Sequence, residues 1–247
     1  MISFVSGVFL SPMETRSQPF KLLNVFTGVF AAILVLVPPL GSKFIAIGPF
    51  NLPGGTLIFP LTFIVNSVLT EVYGYTRSRR VIWIGIGCQV LAAVAFWVVG
   101  VLPPAPFWHK QDAYMAILGV APRIALASLT AYFCGEFVKS VTLSKMKFAQ
   151  AGRRGIVQAW RFVASSAAGE FVDSVVFMLV AFAGVLATAD MATTILTLWL
   201  IKVLYEMVAL PFSLRFANWV KKIEGVDKID RPEATNYNPF ASFLKWD

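Results

Sequence analysis

The chain has 247 residues and a mass of 27.1 kDa; 57% of its residues are hydrophobic and 14% charged, giving a mean hydropathy of +0.73, whereas soluble domains carry about 25% charged residues. That excludes a soluble globular domain. Two isolated cysteines, Cys88 and Cys134, and a single histidine, His109, exclude a disulfide scaffold and a multi-histidine metal centre.

In chain order, the opening residues MISFVSGVFLSP lack the basic flank and cleavage site of a signal peptide and are too short to span a bilayer; Met13 offers a second start. Residues 1–20 are expected to form a cytoplasmic N-terminal segment. Windows of about 19 residues then find six apolar stretches: Leu22–Leu40, Leu57–Val72, Val81–Leu102, Ile117–Val138, Val157–Leu186 and Ala192–Phe216. The prediction is an all-α integral membrane protein, a single domain over residues 1–247 with six transmembrane helices. Pro38 and Pro39 close the first helix, Pro60 opens the second, and Pro103, Pro104 and Pro106 follow the third. Between the first two helices, KFIAIGPFNLPGGT is apolar yet too rich in Gly and Pro for helix, which predicts a hairpin or re-entrant loop suited to a lid. No internal repeat of the kind that marks inverted-topology transporters stands out, although helices two and five both carry acids. Residues 218–247 form a polar tail, packed on the cytoplasmic face or loosely ordered.

Charge placement orients the helices. Arg16 and Lys21 precede helix one; Arg77, Arg79 and Arg80 follow helix two; Lys139, Lys145, Lys147, Arg153 and Arg154 follow helix four; Lys221, Lys222, Lys228, Arg231 and Lys245 fill the tail. Fifteen of the 21 basic residues thus fall on one side, against Lys43 and Lys110 in the opposite loops. By the positive-inside rule both termini are cytoplasmic. The net charge of +8 therefore reflects topology and contact with the anionic lipid bilayer, with no nucleic-acid partner.

Arg123, Glu170, Asp173, Lys202 and Glu206 lie inside apolar spans, where each charge costs about 2.5–3.5 kcal/mol. They must face one another or a polar cavity. Glu71, Glu136 and Arg161 lie nearer the cytoplasmic ends, and snorkelling to the headgroups is the expectation for Glu136 and Arg161. On helix five, Glu170, Asp173 and Phe177 follow helical spacing on one face, with Ser166 a turn earlier. On helix two, Phe59, Phe63, Asn66 and Thr70 share a face, with Ser67 and Glu71 adjacent. Amides, hydroxyls and carboxylates beside aromatic surface make a pocket for a flat polar ligand.

Alternatives stand at several of these positions. Lys202 and Glu206 are four residues apart and either neutralise each other or meet a ligand. Arg123 either pairs with Glu170 or Asp173 or contacts substrate. A carboxylate accepts two parallel N–H bonds, as from a guanidinium or a guanine-like edge, while Phe faces stack a ring; a proton or metal cation is the competing ligand. Ala127, Ala131 and Gly135 on helix four, and Ser165 and Gly169 on helix five, form small-residue series read as close helix packing; such faces also suit a homodimer. There is no G-x-S-x-G elbow, zinc-protease motif or glycine-rich phosphate loop, so no enzyme, metal site or cofactor is expected.

Five stretches, FPLTFIVNSVLTEVYGY at Phe59–Tyr75, RIALASLTAYFCGE at Arg123–Glu136, SSAAGEFVDSVVF at Ser165–Phe177, KVLYEMVALP at Lys202–Pro211 and NYNPF at Asn236–Phe240, together resemble the bacterial queuosine precursor transporter family, once grouped with vitamin uptake transporters. The resemblance implies a six-helix inner-membrane protein that imports a 7-deazaguanine base: the cyano or aminomethyl queuosine precursor, or queuine. It also implies a fold like the substrate-binding subunits of energy-coupling-factor vitamin importers. Asp173 fits the family acid of a G-x-x-x-D stretch, Arg123 the arginine before A-x-A-S, and Lys202 the lysine before the Leu-Pro close. Many relatives have Asp where this chain has Ser67.

The resulting expectation is that Asp173 or Glu170 pairs with the guanine-like edge. Asn66 and Ser67 read exocyclic groups, Glu71 and Phe177 complete the lining, and Arg123 and Lys202 hold the acids ionised. The alternative reading is a binding subunit that needs a separate ATP-driven partner, for which Gly28 and Ala32 offer a docking face.

Overall fold

A computed structural model describes residues 20–47, 50–119, 122–184 and 188–241. The N-terminal segment with its second start at Met13, and the side chain of Arg123, lie outside the described residues. The elements run α1 Leu23–Gly41, β1 Phe44–Ile47, β2 Phe50–Pro53, a 3-10 turn Gly54–Leu57, α2 Phe59–Tyr73, α3 Tyr75–Val101, α4 Gln111–Leu118, α5 Pro122–Ala149, α6 Ile156–Phe182 and α7 Thr188–Glu224. Each of the six apolar stretches overlaps a long or central helix, α1, α2, α3, α5, α6 or α7. The Gly/Pro-rich connector is an antiparallel hairpin in register Ile45 to Leu52 and Ala46 to Asn51, so the described fold is helical with one small β addition.

Four helices, α1, α3, α6 and the Met191–Glu224 part of α7, are long and apolar enough to cross a membrane. At 15 residues, α2 is about 22 Å long, and α5 is long but interrupted by charge. Several helices outrun their apolar windows: α3 begins before Arg77 and α7 continues through Pro211 to Glu224. Lys, Arg and Glu are good helix formers, so a helix nucleated in the apolar stretch continues into polar sequence until a glycine stops it. Gly225, with φ 65°, stops α7 in this way. The predicted fourth span also starts too early. Ile117 belongs to the short α4, which is tied back to α3 by Gln111 Nε2 donating to the Gly100 carbonyl at 2.7 Å; Pro122 then opens α5.

The bundle buries many charged and polar side chains and exposes large apolar ones. Asn66, Glu71, Glu136, Lys139, Arg161 and Glu170 are wholly buried, while Leu91 is 70% and Val208 82% exposed. In water this would be the wrong way round; against lipid it is the expected one. α2 sits at the centre, buried from Thr62 to Tyr73 on every face, with Val68, Leu69 and Val72 packed among Phe30, Leu143 and Phe162.

The described part of the tail, to residue 241, crosses the adjoining ends of α2, α3 and α5. Asp230 Oδ2 accepts from the Tyr75 amide at 2.7 Å and the Ser144 hydroxyl at 2.6 Å. Arg79 donates to the carbonyls of Asn236 and Asn238, both at 2.9 Å, and Trp83 Nε1 to that of Pro239 at 2.9 Å. The NYNPF stretch is therefore the tail's anchor. Gly74, the single residue between α2 and α3, has φ 83°, and a Cβ there would meet Asp230 Oδ1 at 2.7 Å and Lys228 Cγ at 2.9 Å. Gly74→Ala is expected to cost about 1–3 kcal/mol through backbone strain and to loosen the tail. Thermal melting and tryptic cleavage at Lys228 would show it; unchanged melting and cleavage would refute it.

Candidate functional site

On α2, Phe59, Phe63, Asn66 and Thr70 fall on one face because positions three and four apart stack along a helix. The Phe59 and Phe63 rings meet edge to face, centroids 4.9 Å apart. Lys202 Nζ from α7 bonds Asp173 of α6 and lies 3.1 Å from Glu170. Lys139 Nζ from α5 donates to Glu206 of α7 at 2.6 Å and to the Phe63 carbonyl at 3.2 Å. The rings of α2 cover both ammonium groups, Lys139 at 4.4 Å over Phe63 and Lys202 at 5.4 Å over Phe59.

This corrects the i, i+4 pairing of Lys202 with Glu206. Each reaches instead to a neighbouring helix, because an intrahelical pair is worth only about 0.2–0.5 kcal/mol and would strand Lys139 and Asp173 without partners. Glu136 does not snorkel: it is 0% exposed, and its place midway along α5 leaves it about 20 Å from the helix end. Asn66 Nδ2 donates to Glu136 Oε2, while Asn66 Oδ1 accepts from Ser78 at 2.6 Å and Ser140 at 3.3 Å.

Several buried oxygens in this cluster have no hydrogen-bond partner: Glu136 Oε1, Glu170 Oε1, and the hydroxyls of Tyr132 and Ser174. Unsatisfied buried acceptors are costly, and these carboxylate oxygens are chemically able to accept N–H donors or protons. Beside it, Ser67, Ser166, Glu206 and Ser213 line a cleft of about 260 Å³ counting its open mouth; its enclosed part has room for about one water.

A second ionic centre lies toward the tail. Glu71, wholly buried, accepts from Arg161 Nε at 2.9 Å and from the other guanidinium branch, from Lys221 Nζ at 2.6 Å and from Gln158 Nε2 at 3.3 Å. Lys147 Nζ bonds the Glu71 carbonyl and lies 2.5 Å from Asp227 Oδ1, which Lys221 approaches at 2.9 Å. Burial alone would raise the Asp227 carboxyl; hydrogen bonds from Lys147 and Lys221 hold it below the ordinary carboxylate range. Arg161 is thus a buried partner of Glu71, correcting its expected reach to the headgroups.

Of the predicted residues, Glu170, Asp173 and Lys202 come together directly, Asn66 joins them through Glu136, and Ser67 meets Glu206 at the cleft. Glu71 belongs to the tail-side network instead. Phe177 is half-buried and pairs with Phe182, centroids 6.1 Å apart. Lys139 and Glu136 were not among the predicted site residues, and Glu206 was weighed only as a partner of Lys202 or a ligand contact.

A signal for them was present in the sequence. Gly135–Ser140 reads GEFVKS on α5 and Gly169–Ser174 reads GEFVDS on α6, a short shared motif that the sequence reading did not single out. The two motifs cross in reciprocal contact: a Cβ on Gly135 would meet Gly169 O at 2.9 Å and Asp173 Cβ at 2.8 Å, and one on Gly169 would meet Gly135 O at 2.8 Å and Lys139 Cβ at 2.7 Å. The close packing expected of the small residues is present, with Ala127 and Ala131 buried as well.

A family model described as a putative vitamin uptake transporter matches residues 53–216, from the end of the hairpin into α7, and includes both motifs. The chain is 28% identical over 162 residues to the probable queuosine precursor transporter of Bacillus subtilis (strain 168), over 64% of this chain and 69% of that protein. No solved structure matches the chain.

Proposed function

The chain belongs to the putative vitamin uptake transporter family, and from that premise we propose that it imports a queuosine precursor, a 7-deazaguanine base, across the bacterial inner membrane. α1, α2, α3, α5, α6 and α7 make six crossings in this reading, with both termini cytoplasmic and the fold of an energy-coupling-factor substrate-binding subunit. Glu170 and Asp173 take the N–H edge of the base, Asn66 and Ser67 its exocyclic groups, and Lys202 holds the acids charged. Phe59 and Phe63 supply the aromatic cover.

The observation that carries this is Glu170: wholly buried, with Oε2 ion-paired to Lys202 at 3.1 Å and Oε1 without a hydrogen bond. A guanine-type edge offers the two parallel donors such a carboxylate accepts. The test is queuosine in tRNA from a strain that cannot make the precursor, expresses this chain, and receives cyano, aminomethyl or queuine base with the matching downstream enzymes. One base should restore queuosine, and Asp173→Asn at equal expression should lower uptake at least tenfold. Undiminished uptake by that variant would remove the assigned site. Restoration by the parent in a host without an ATPase partner would dispose of the binding-subunit reading.

A further inference from the structure

The two GEFV motifs make α5 and α6 local two-fold equivalents. Glu136 corresponds to Glu170, Lys139 to Asp173 and Ser140 to Ser174. Equivalence extends to surroundings: Glu136 and Glu170 are both 0% exposed, and each has at least one carboxylate oxygen without a hydrogen bond. The motifs' fifth residues have opposite charges, and α7 answers them with opposite charges a turn apart, Glu206 on Lys139 and Lys202 on Asp173. Phe137 faces Trp83 of α3 at 6.1 Å and Phe171 faces Trp199 of α7 at 5.7 Å.

Antiparallel helices crossing at Gly135 and Gly169 put Glu136, Lys139 and Ser140 on the tail side of the crossing and Glu170, Asp173 and Ser174 on the other. The asymmetry that matters is in partners. Asn66 of α2 donates to Glu136, whereas Glu170 shares Lys202 with Asp173. The groups facing the pair are Tyr132 and Lys139 from α5, Asp173 from α6, Lys202 and Glu206 from α7, and Asn66 from α2.

Among these described side chains, four carboxylates (Glu136, Glu170, Asp173 and Glu206) meet two ammonium groups, Lys139 and Lys202. Each lysine carries one charge, so two negative charges stay unmatched; counting Arg123 against them would still leave one. An uncompensated buried charge costs several kcal/mol, so the cluster favours taking up positive charge. No three described His, Cys, Asp or Glu side chains converge in a group able to hold a metal ion, which favours the proton.

From this arrangement we infer that Glu136 and Glu170 are paired proton sites, used in alternation from the two sides of the α5–α6 crossing, that couple import to an inward flow of protons. One carboxylate takes a proton from the outer side, which neutralises one excess charge in the cluster. The crossing then rearranges, and the same proton leaves to the tail side with the cargo, restoring the carboxylate. Both glutamates lie midway along their helices, beside the α5–α6 crossing. This inference rests on the proposed import function for its cargo but not for its proton sites.

Two measurements on purified parent, Glu136→Gln and Glu170→Gln test it. The first, without cargo, is the infrared carbonyl absorption of buried protonated carboxylic acids at neutral pH. The parent should show it, and at least one variant should lower it. In vesicles, the parent should accumulate the base under an inward proton gradient and lose this with a protonophore. Both variants should accumulate at least tenfold less, and Glu136→Gln, which has no assigned contact with the base, should still exchange labelled for unlabelled base. A parent without the carboxylic absorption, accumulation driven by sodium instead of protons, or variants that accumulate as the parent does would each overturn the proton sites even if transport is confirmed. A parent that shows the absorption but exchanges no base would instead overturn the cargo and leave the proton sites standing.

Discussion

Glu71→Ala is expected to leave little folded protein. The carboxylate is wholly buried and is the shared acceptor for Arg161 and Lys221, both themselves buried. Removing it turns an ion triad into two cations facing each other inside the bundle, and breaking a buried pair in this way costs about 3–5 kcal/mol out of a typical total of about 5–15 kcal/mol. Asp227, the remaining acid, is held by Lys147 and Lys221 and cannot turn to Arg161 without breaking those pairs. Glu71→Gln keeps an acceptor and should fall between parent and Ala variant. Recovery of monodisperse protein from detergent and its melting temperature read the effect. The same measurement separates two roles, since a ligand contact would lose uptake with the fold intact, whereas an anchor loses the fold first. A Glu71→Ala protein that extracts and melts as the parent does would end the anchor reading.

The second large effect is expected at the α5–α6 crossing. In Gly169→Val, the added Cβ alone would stand 2.7 Å from Lys139 Cβ and 2.8 Å from Gly135 O, and the obstructing carbonyl belongs to helix backbone, so the helices must part. Overpacking of this kind costs about 1–3 kcal/mol, occasionally more. Function should suffer beyond stability, because parting the helices draws Lys139 from Glu206 and Asp173 from Lys202. Uptake should fall at least a hundredfold, with a lower melting temperature. Gly28→Ala on α1 is the control: a Cβ there meets no atom within 4 Å, and melting and uptake should match the parent. Equal behaviour of the two variants would mean that the crossing does not set the site.

Much of this was legible in one dimension. Hydropathy located every long helix because apolar side chains avoid water wherever they lie in the chain, and prolines marked the entry to α2 and the exit from α3 because a missing N–H cannot continue a helix. Helical spacing placed Glu170 and Asp173 on one face, and the Gly/Pro content of the connector announced the hairpin. Helix ends were less legible, since Arg77–Arg80 and Lys221–Glu224 are polar yet helix-forming.

Charge partners were not legible at all. Lys202 and Glu206 look like each other's partners along α7, and Glu136 looks like a residue near an interface, because sequence spacing reports only neighbours on the same helix. Which residues meet across helices depends on how closely α5 and α6 approach, and that depends on two glycines whose lack of a side chain gives no hydropathy signal. What the sequence by itself determined is the solvent of this protein, its helices and the inventory of charges that lipid forces to find partners. Only the tertiary structure decided who those partners are, that Glu71 anchors the tail side while Glu170 stays open at the centre, and that the two GEFV motifs face each other. Coulombic pairing and close backbone contact act through a few ångströms of space, and no distance along the chain encodes that.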